Sequence, residues 1–112
     1  MEKFTNLYLF GFSSNNSVQL KRLHSILKTQ VNGDNSLGLV LIHDGVIGTV
    51  QNGMIPEDLE NILNLPVQVL AMKPDLKARG IPIERIHEKI TVISYDELVD
   101  IMNNSGKLIS WM

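Results

Sequence analysis

The sequence predicts an α/β fold, a three-layer α/β/α sandwich built on a mostly parallel sheet of about five strands. Three observations lead there. Leu37, Gly38, Leu39, Val40, Leu41 and Ile42 form a short, unbroken apolar run closed abruptly by His43, Asp44 and Gly45, the pattern of a strand covered on both faces. Further strand-like segments recur at residues 4–12, 67–72 and 90–93, rich in aromatic and β-branched side chains. Helical patterns with recognisable starts and stops alternate with them, which is the signature of parallel strands joined by crossover helices. Folds of this kind place ligands and contacts beyond the carboxyl ends of their strands. His43, Asp44 and Gly45 fall there, at the end of the expected central strand.

The first strand stops at the polar cluster Ser13, Ser14, Asn15, Asn16 and Ser17, which offers several N-caps for a helix. That helix runs to about Gln30, with Leu20, Leu23, Leu27 and Val31 on one face at 3.6-residue spacing. Residues 32–36 are a polar loop before the central strand. Residues 45–50 have poor helix propensity, with two glycines and several β-branched side chains, so any helix there must be held by tertiary or partner packing. Pro56, Glu57, Asp58 and Glu60 open a short helix, with proline in the first turn and acids at the positive end of the dipole. Pro66 stops it before the third strand.

Pro74 starts another short helix and Gly80 supplies its left-handed stop. Ser94, Tyr95, Asp96 and Glu97 read as a capping box: the Ser94 hydroxyl takes the Glu97 N–H while the Glu97 carboxylate reaches back. The helix it opens carries Tyr95, Leu98, Val99 and Met102 on one face. Asn103 to Gly106 end it, and residues 107–112 are a short last strand or a docked tail.

With 112 residues, no internal repeat and no linker, the chain is expected to be one domain over residues 1–112. Its net charge of −2 leaves no electrostatic footprint for a nucleic-acid backbone. It contains no cysteine, which excludes a disulfide scaffold, a thiolate zinc site and any nucleophile or persulfide chemistry on its own sulfur. No signal peptide or membrane-spanning run is read from the sequence, so a soluble, cytoplasmic protein is expected.

Little of the sequence points to catalysis. His24, His43 and His87 have no metal-ligand spacing. His24 reads as a half-buried histidine at the edge of a helix and His87 as a surface residue. Asp44 reads two ways: as the cap of a tight turn, accepting the N–H of Val46 or Ile47, or as a polar contact on a binding rim. Ser13, Ser14 and Asn16, ahead of a helix N-terminus, are a weak candidate for an anion site, without a glycine-rich signature. Trp111 is an anchor that docks on its own chain or on a subunit. Response-regulator and Rossmann readings both fail, because Gly11, Phe12, Ser13 and Ser14 follow the first strand instead of paired acids or Gly-x-Gly-x-x-Gly.

Several segments resemble the DsrE/DsrF/DsrH sulfur-relay family, and within it the DsrH/TusB branch. They are residues 39–46, 65–72, 75–80 (Asp-Leu-Lys-Ala-Arg-Gly), 90–99 and the closing Ile109, Ser110 and Trp111. The resemblance implies a subunit of a relay that passes persulfide sulfur between proteins, feeding 2-thiolation of the wobble uridine in transfer RNA or dissimilatory sulfur metabolism. It also implies related DsrE/TusD-like and DsrF/TusC-like partners, a TusA-like sulfur carrier, a hetero- or homo-oligomer, and no cofactor. A thiolate is the nucleophile of persulfide transfer, so a cysteine-free chain is expected to dock partners and not to carry sulfur or act as an enzyme. The expected partner face comprises His43, Asp44, Gly45, Val46, Asp75, Arg79, Gly80 and Trp111. The alternatives are a homo-oligomeric module binding a small anion at Ser13 to Ser17, and an enzyme using His43 and Asp44.

Overall fold

In the computed structural model, which describes residues 4–12, 17–31, 33, 36–50 and 55–111, the apolar run becomes β2 (Leu37–Leu41), the middle strand of the sheet, with all its residues buried. β1 (Asn6–Phe10) and β3 (Val67–Met72) flank it, with Leu39 opposite Tyr8 on one side and Val69 on the other. β4 (Ile90–Ile93) lies outside β3, and β5 (Lys107–Trp111) lies outside β1. The order is β4-β3-β2-β1-β5 and every pair is parallel.

Among the described residues four α-helices accompany the strands: α1 (Ser17–Gln30), α2 (Glu57–Leu63), α3 (Lys73–Ala78) and α4 (Tyr95–Asn104). The steps from β1 to β4 all move in one direction across the sheet, and right-handed crossovers then put their helices on one face. The return from β4 to β5 runs the other way, so α4 covers the opposite face. Side chains divide accordingly. Leu20, Leu23 and Leu27 of α1 and Leu59 and Ile62 of α2 pack with Tyr8, Phe10, Leu39 and Leu41. Leu98 and Ile101 of α4 pack with Leu7, Leu9, Val40, Ile42, Leu70 and Met72. Each fully buried leucine contributes about 1.5–3 kcal/mol over its exposed state.

Local signals act where the residues predict. The Ser94 Oγ accepts the Glu97 N–H at 3.2 Å while the Glu97 carboxylate accepts the Ser94 N–H at 2.9 Å, a complete capping box. The Ser94 N–H, and after it the Ser94 hydroxyl, hold the Glu97 carboxyl below its ordinary pKa. Gly80 adopts φ +66°, the left-handed stop after α3. The end of α1 is tied to β1 by Gln30, whose Oε1 accepts the Tyr8 hydroxyl at 2.6 Å and the Asn6 amide at 3.2 Å. Burial raises the Tyr8 pKa.

Two local expectations are corrected, and a third, left open between tertiary and partner packing, is resolved toward the first. Pro56 stands at the N-cap and α2 begins at Glu57. The segment after Asp44 is a 3-10 turn, His43–Val46, held by the chain's own packing: Val46 is fully buried and Thr49 Oγ1 donates to the Val46 carbonyl at 2.7 Å. Beyond it Val50 bridges to Ile86. On α4 the core side is Leu98 and Ile101, whereas Tyr95 and Val99 are exposed; one helix is too narrow to cover five strands, and its apolar stripe runs past the contact.

Candidate functional site

β2 ends at the carboxyl edge of the sheet, and Ile42 donates its N–H to the Phe10 carbonyl of β1 at 3.0 Å. The chain then turns sharply. His43 takes φ +49°, a left-handed conformation uncommon for a residue with a Cβ, although histidine is among the side chains enriched there. The Gly45 N–H donates to the Ile42 carbonyl at 2.7 Å. A Cβ on Gly45 would lie 2.3 Å from the Phe10 carbonyl oxygen, so only glycine lets the turn sit this close to β1.

α3 begins directly after β3 and brings two charged side chains to the turn. The Asp75 Oδ2 accepts the His43 N–H at 2.9 Å, which satisfies the backbone donor that the sharp turn leaves without a helical partner. Arg79, one helical turn on, donates from Nε and Nη2 to a single Asp44 oxygen at 3.2 and 3.0 Å. Its Nη1 donates to the Asp75 carbonyl at 3.3 Å and lies 3.7 Å from the Asp75 carboxylate. Asp44 therefore makes an ion pair with a residue 35 positions away and does not cap the turn, which has no side-chain cap bond. The Asp44 side chain is 62% exposed and that of Arg79 27%, so the pair is worth at most about 1 kcal/mol and serves to hold the turn against α3.

Beside this cluster, on the α4 face, a pocket of about 370 Å³ opens. Leu9, Ile42, Met72, Pro74, Leu98 and Met102 give it apolar walls, with His43, Asp75 and Tyr95 also lining it. Its position at the ends of β1, β2 and β3 is the one expected of ligand and contact sites in parallel sheets. The pocket residues Met72, Pro74 and Tyr95 were missed in the sequence. Tyr95 carried the available signal, because it directly follows the cap of α4 at the end of β4.

The structure thus brings His43, Asp44, Gly45, Asp75 and Arg79 to one place; Gly80 follows Arg79 after α3, and no bond joins it to the turn. Val46 belongs to the buried core behind them. Trp111 ends β5 at the same edge of the sheet, but β1 separates it from β2. Its carbonyl accepts the Gly11 N–H at 2.9 Å and its side chain packs half-buried on the α1 face, away from the pocket. Ser13, Ser14 and Asn16 lie outside the described residues. His24 is half-buried, and His87, expected at the surface, is half-buried too, with its Nδ1 accepting the Lys89 N–H at 3.0 Å.

The His43 Nδ1 is 3.8 Å from the Asp75 carboxylate, outside hydrogen-bond range. Among the described residues no group of three His, Cys, Asp or Glu side chains could hold a metal ion, and no helix is long and apolar enough to cross a membrane.

Fold and site together define a class: an α/β/α protein with an all-parallel five-stranded sheet and a salt-linked turn beside an apolar pocket at its carboxyl edge. Comparison with known proteins makes this specific. The family described as DsrH like protein matches residues 15–107. The chain is 34% identical over 89 residues to Protein TusB of Serratia proteamaculans, covering 80% of this chain and 86% of that protein. It is 33% identical, with the same coverage, to Protein TusB of an Enterobacter species. Among solved structures, the ychN protein of E. coli superposes with a TM-score of 0.74 at 19% identity, covering 99% of this chain and all of that one. A protein of unknown function from Methanobacterium thermoautotrophicum superposes with a TM-score of 0.72 at 16% identity, covering 95% and 99%. The chain belongs to the DsrH-like family, in its DsrH/TusB branch.

Proposed function

We propose that this chain is the non-carrier, partner-docking subunit of a persulfide sulfur-relay complex. The observation that carries the reading is the absence of cysteine from the sequence of a DsrH-family member. Persulfide transfer needs a thiolate on the protein that accepts the sulfur, so in such a relay this chain holds other subunits in place. Similarity to proteins named TusB favours 2-thiolation of wobble uridine in transfer RNA as the process served, with dissimilatory sulfur metabolism the alternative. The partners are cysteine-bearing DsrE/TusD-like and DsrF/TusC-like subunits, with a TusA-like protein delivering sulfur. The complex is cytoplasmic, and this chain does not itself touch nucleic acid.

The docking face is centred on His43, Asp44, Asp75, Arg79 and Gly80, with Gly45 and Val46 shaping the turn beneath. His43, Asp44 and Gly80 are exposed; Asp75 holds the His43 N–H and Arg79 holds the Asp44 carboxylate. A rigid, mixed-charge rim beside an apolar pocket suits a specific protein contact. Affinity purification of the tagged chain from its native organism tests this. It should recover cysteine-bearing DsrE- and DsrF-type proteins, less well with Asp44→Lys, which places a second cation beside Arg79. Recovery of neither partner would count against the reading.

A further inference from the structure

We infer that β5 is a self-complementary edge through which two copies of this chain join their sheets, antiparallel and centred on Ile109. β5 ends the strand order and pairs only with β1. The Lys107 N–H donates to the Thr5 carbonyl and the Trp111 carbonyl accepts the Gly11 N–H, each at 2.9 Å. Backbone groups of successive strand residues point to alternate sides, so Lys107, Ile109 and Trp111 address β1, and Leu108 and Ser110 turn their N–H and C=O groups outward. None of the described residues bonds to those outward groups across a further strand.

The devices that blunt a lone edge are sparse here. β5 contains no proline, its charge is confined to Lys107 at the entry, and Leu108 is 46% exposed. Within residues 107–111, one antiparallel self-register satisfies all the outward groups. With Ile109 opposite its own copy, Leu108 faces Ser110 of the second copy and exchanges two hydrogen bonds with it, and the symmetry repeats the exchange. A two-residue slip in either direction leaves part of each set without a partner within residues 107–111.

Side chains favour the same register. Lys107 then stands opposite Trp111 of the second copy in a non-hydrogen-bonded pair, where side chains approach most closely. An ammonium over an indole face is an attractive contact, and the two-fold axis makes it twice. Ile109 meets Ile109 between them. The contact is isologous and closes as a dimer. It is independent of the sulfur-relay reading, since β1 lies between β5 and the strand that carries the His43–Arg79 cluster.

The test is analytical ultracentrifugation of the full chain from low to high micromolar concentration. The parent is expected to be a dimer at the upper end. Ser110→Pro removes an outward N–H that β1 does not use, so it should give a monomer with an unchanged far-UV spectrum, while Ser110→Thr stays dimeric. Lys107→Glu should raise the dimer Kd about tenfold. Register is read separately by crosslinking, which is clean because the chain has no cysteine of its own. Ile109→Cys sets two thiols opposite each other at a Cα separation of about 4.5 Å, within disulfide range. It should oxidise to a covalent dimer, and Leu108→Cys, whose copies sit diagonally, should not. A parent that is monomeric throughout, a dimer that survives folded Ser110→Pro, or crosslinking of Leu108→Cys as readily as Ile109→Cys would overturn the proposal.

Discussion

Replacing Gly45 by alanine tests how tightly the candidate site is built onto the sheet. The new methyl would lie 2.3 Å from the Phe10 carbonyl oxygen, where ordinary contact begins at 3.4 Å. The turn must therefore retreat from β1 by roughly 1 Å, or β1 must bend. Overpacking of this kind costs about 1–3 kcal/mol. The retreat also stretches the Ile42 N–H bond to the same Phe10 carbonyl, now 3.0 Å, adding about 0.5–1.5 kcal/mol. Together the loss is about 2–4 kcal/mol, a fall in Tm of roughly 8–16 °C for a domain of this size.

Urea unfolding followed by circular dichroism measures that loss directly. Gly80→Ala is the matched control: no atom lies within 4 Å of its Cβ, and only the φ of +66° opposes the change. It should cost about 1–2 kcal/mol, and Gly80→Asn less, because asparagine tolerates that conformation. If Gly45→Ala unfolds within about 0.5 kcal/mol of the parent, the close approach of the turn to β1, and with it the rigidity assigned to the docking rim, is refuted.

Two further outcomes follow from the charges. A double-mutant cycle with Asp44→Ala and Arg79→Ala should give a coupling of about 0.5–1 kcal/mol at low salt that fades in concentrated sodium chloride; a salt-insensitive coupling of about 3 kcal/mol would mean that the pair is buried. Glu97 has a folded pKa held below its ordinary value of 4.5 by the Ser94 N–H and hydroxyl, so its stabilisation is present above that value and is lost as pH falls through the folded pKa. Glu97→Gln should therefore be less stable than the parent near neutrality, with the difference in urea midpoint closing in acid. A constant difference across that range would show that the carboxylate charge plays no part.

What was legible in the sequence was whatever short-range chemistry decides. Leu37 to Leu41 announced a strand buried on both faces because no polar residue interrupts them. Pro74, Gly80 and the Ser94–Glu97 pair marked helix ends by their own backbone preferences and hydrogen bonds. Long-range pairing left no such mark. The Asp44 carboxylate had a plausible local partner in the next turn, and its real partner, Arg79, comes into reach only because β2 and β3 are neighbours and α3 starts at once after β3. The placement of β5 beside β1 depends on the direction of the last crossover, which no residue encodes alone. Tyr95 and Val99 continue an apolar stripe that reads as core, and their exposure is visible only once a single helix is seen lying across the second face. For Val46 the sequence left open whether tertiary or partner packing would hold a segment unsuited to helix, and the chain's own core holds it.

The measurement that bears most directly on the relay reading is transfer of radiolabelled sulfane sulfur. The purified chain would be incubated with a desulfurase and labelled cysteine, alone and together with its cysteine-bearing relatives, and resolved on non-reducing gels. The account predicts no label on this chain under either condition, and faster labelling of the relatives when it is present. Label held covalently by this chain, or relatives loaded equally fast without it, would contradict the account.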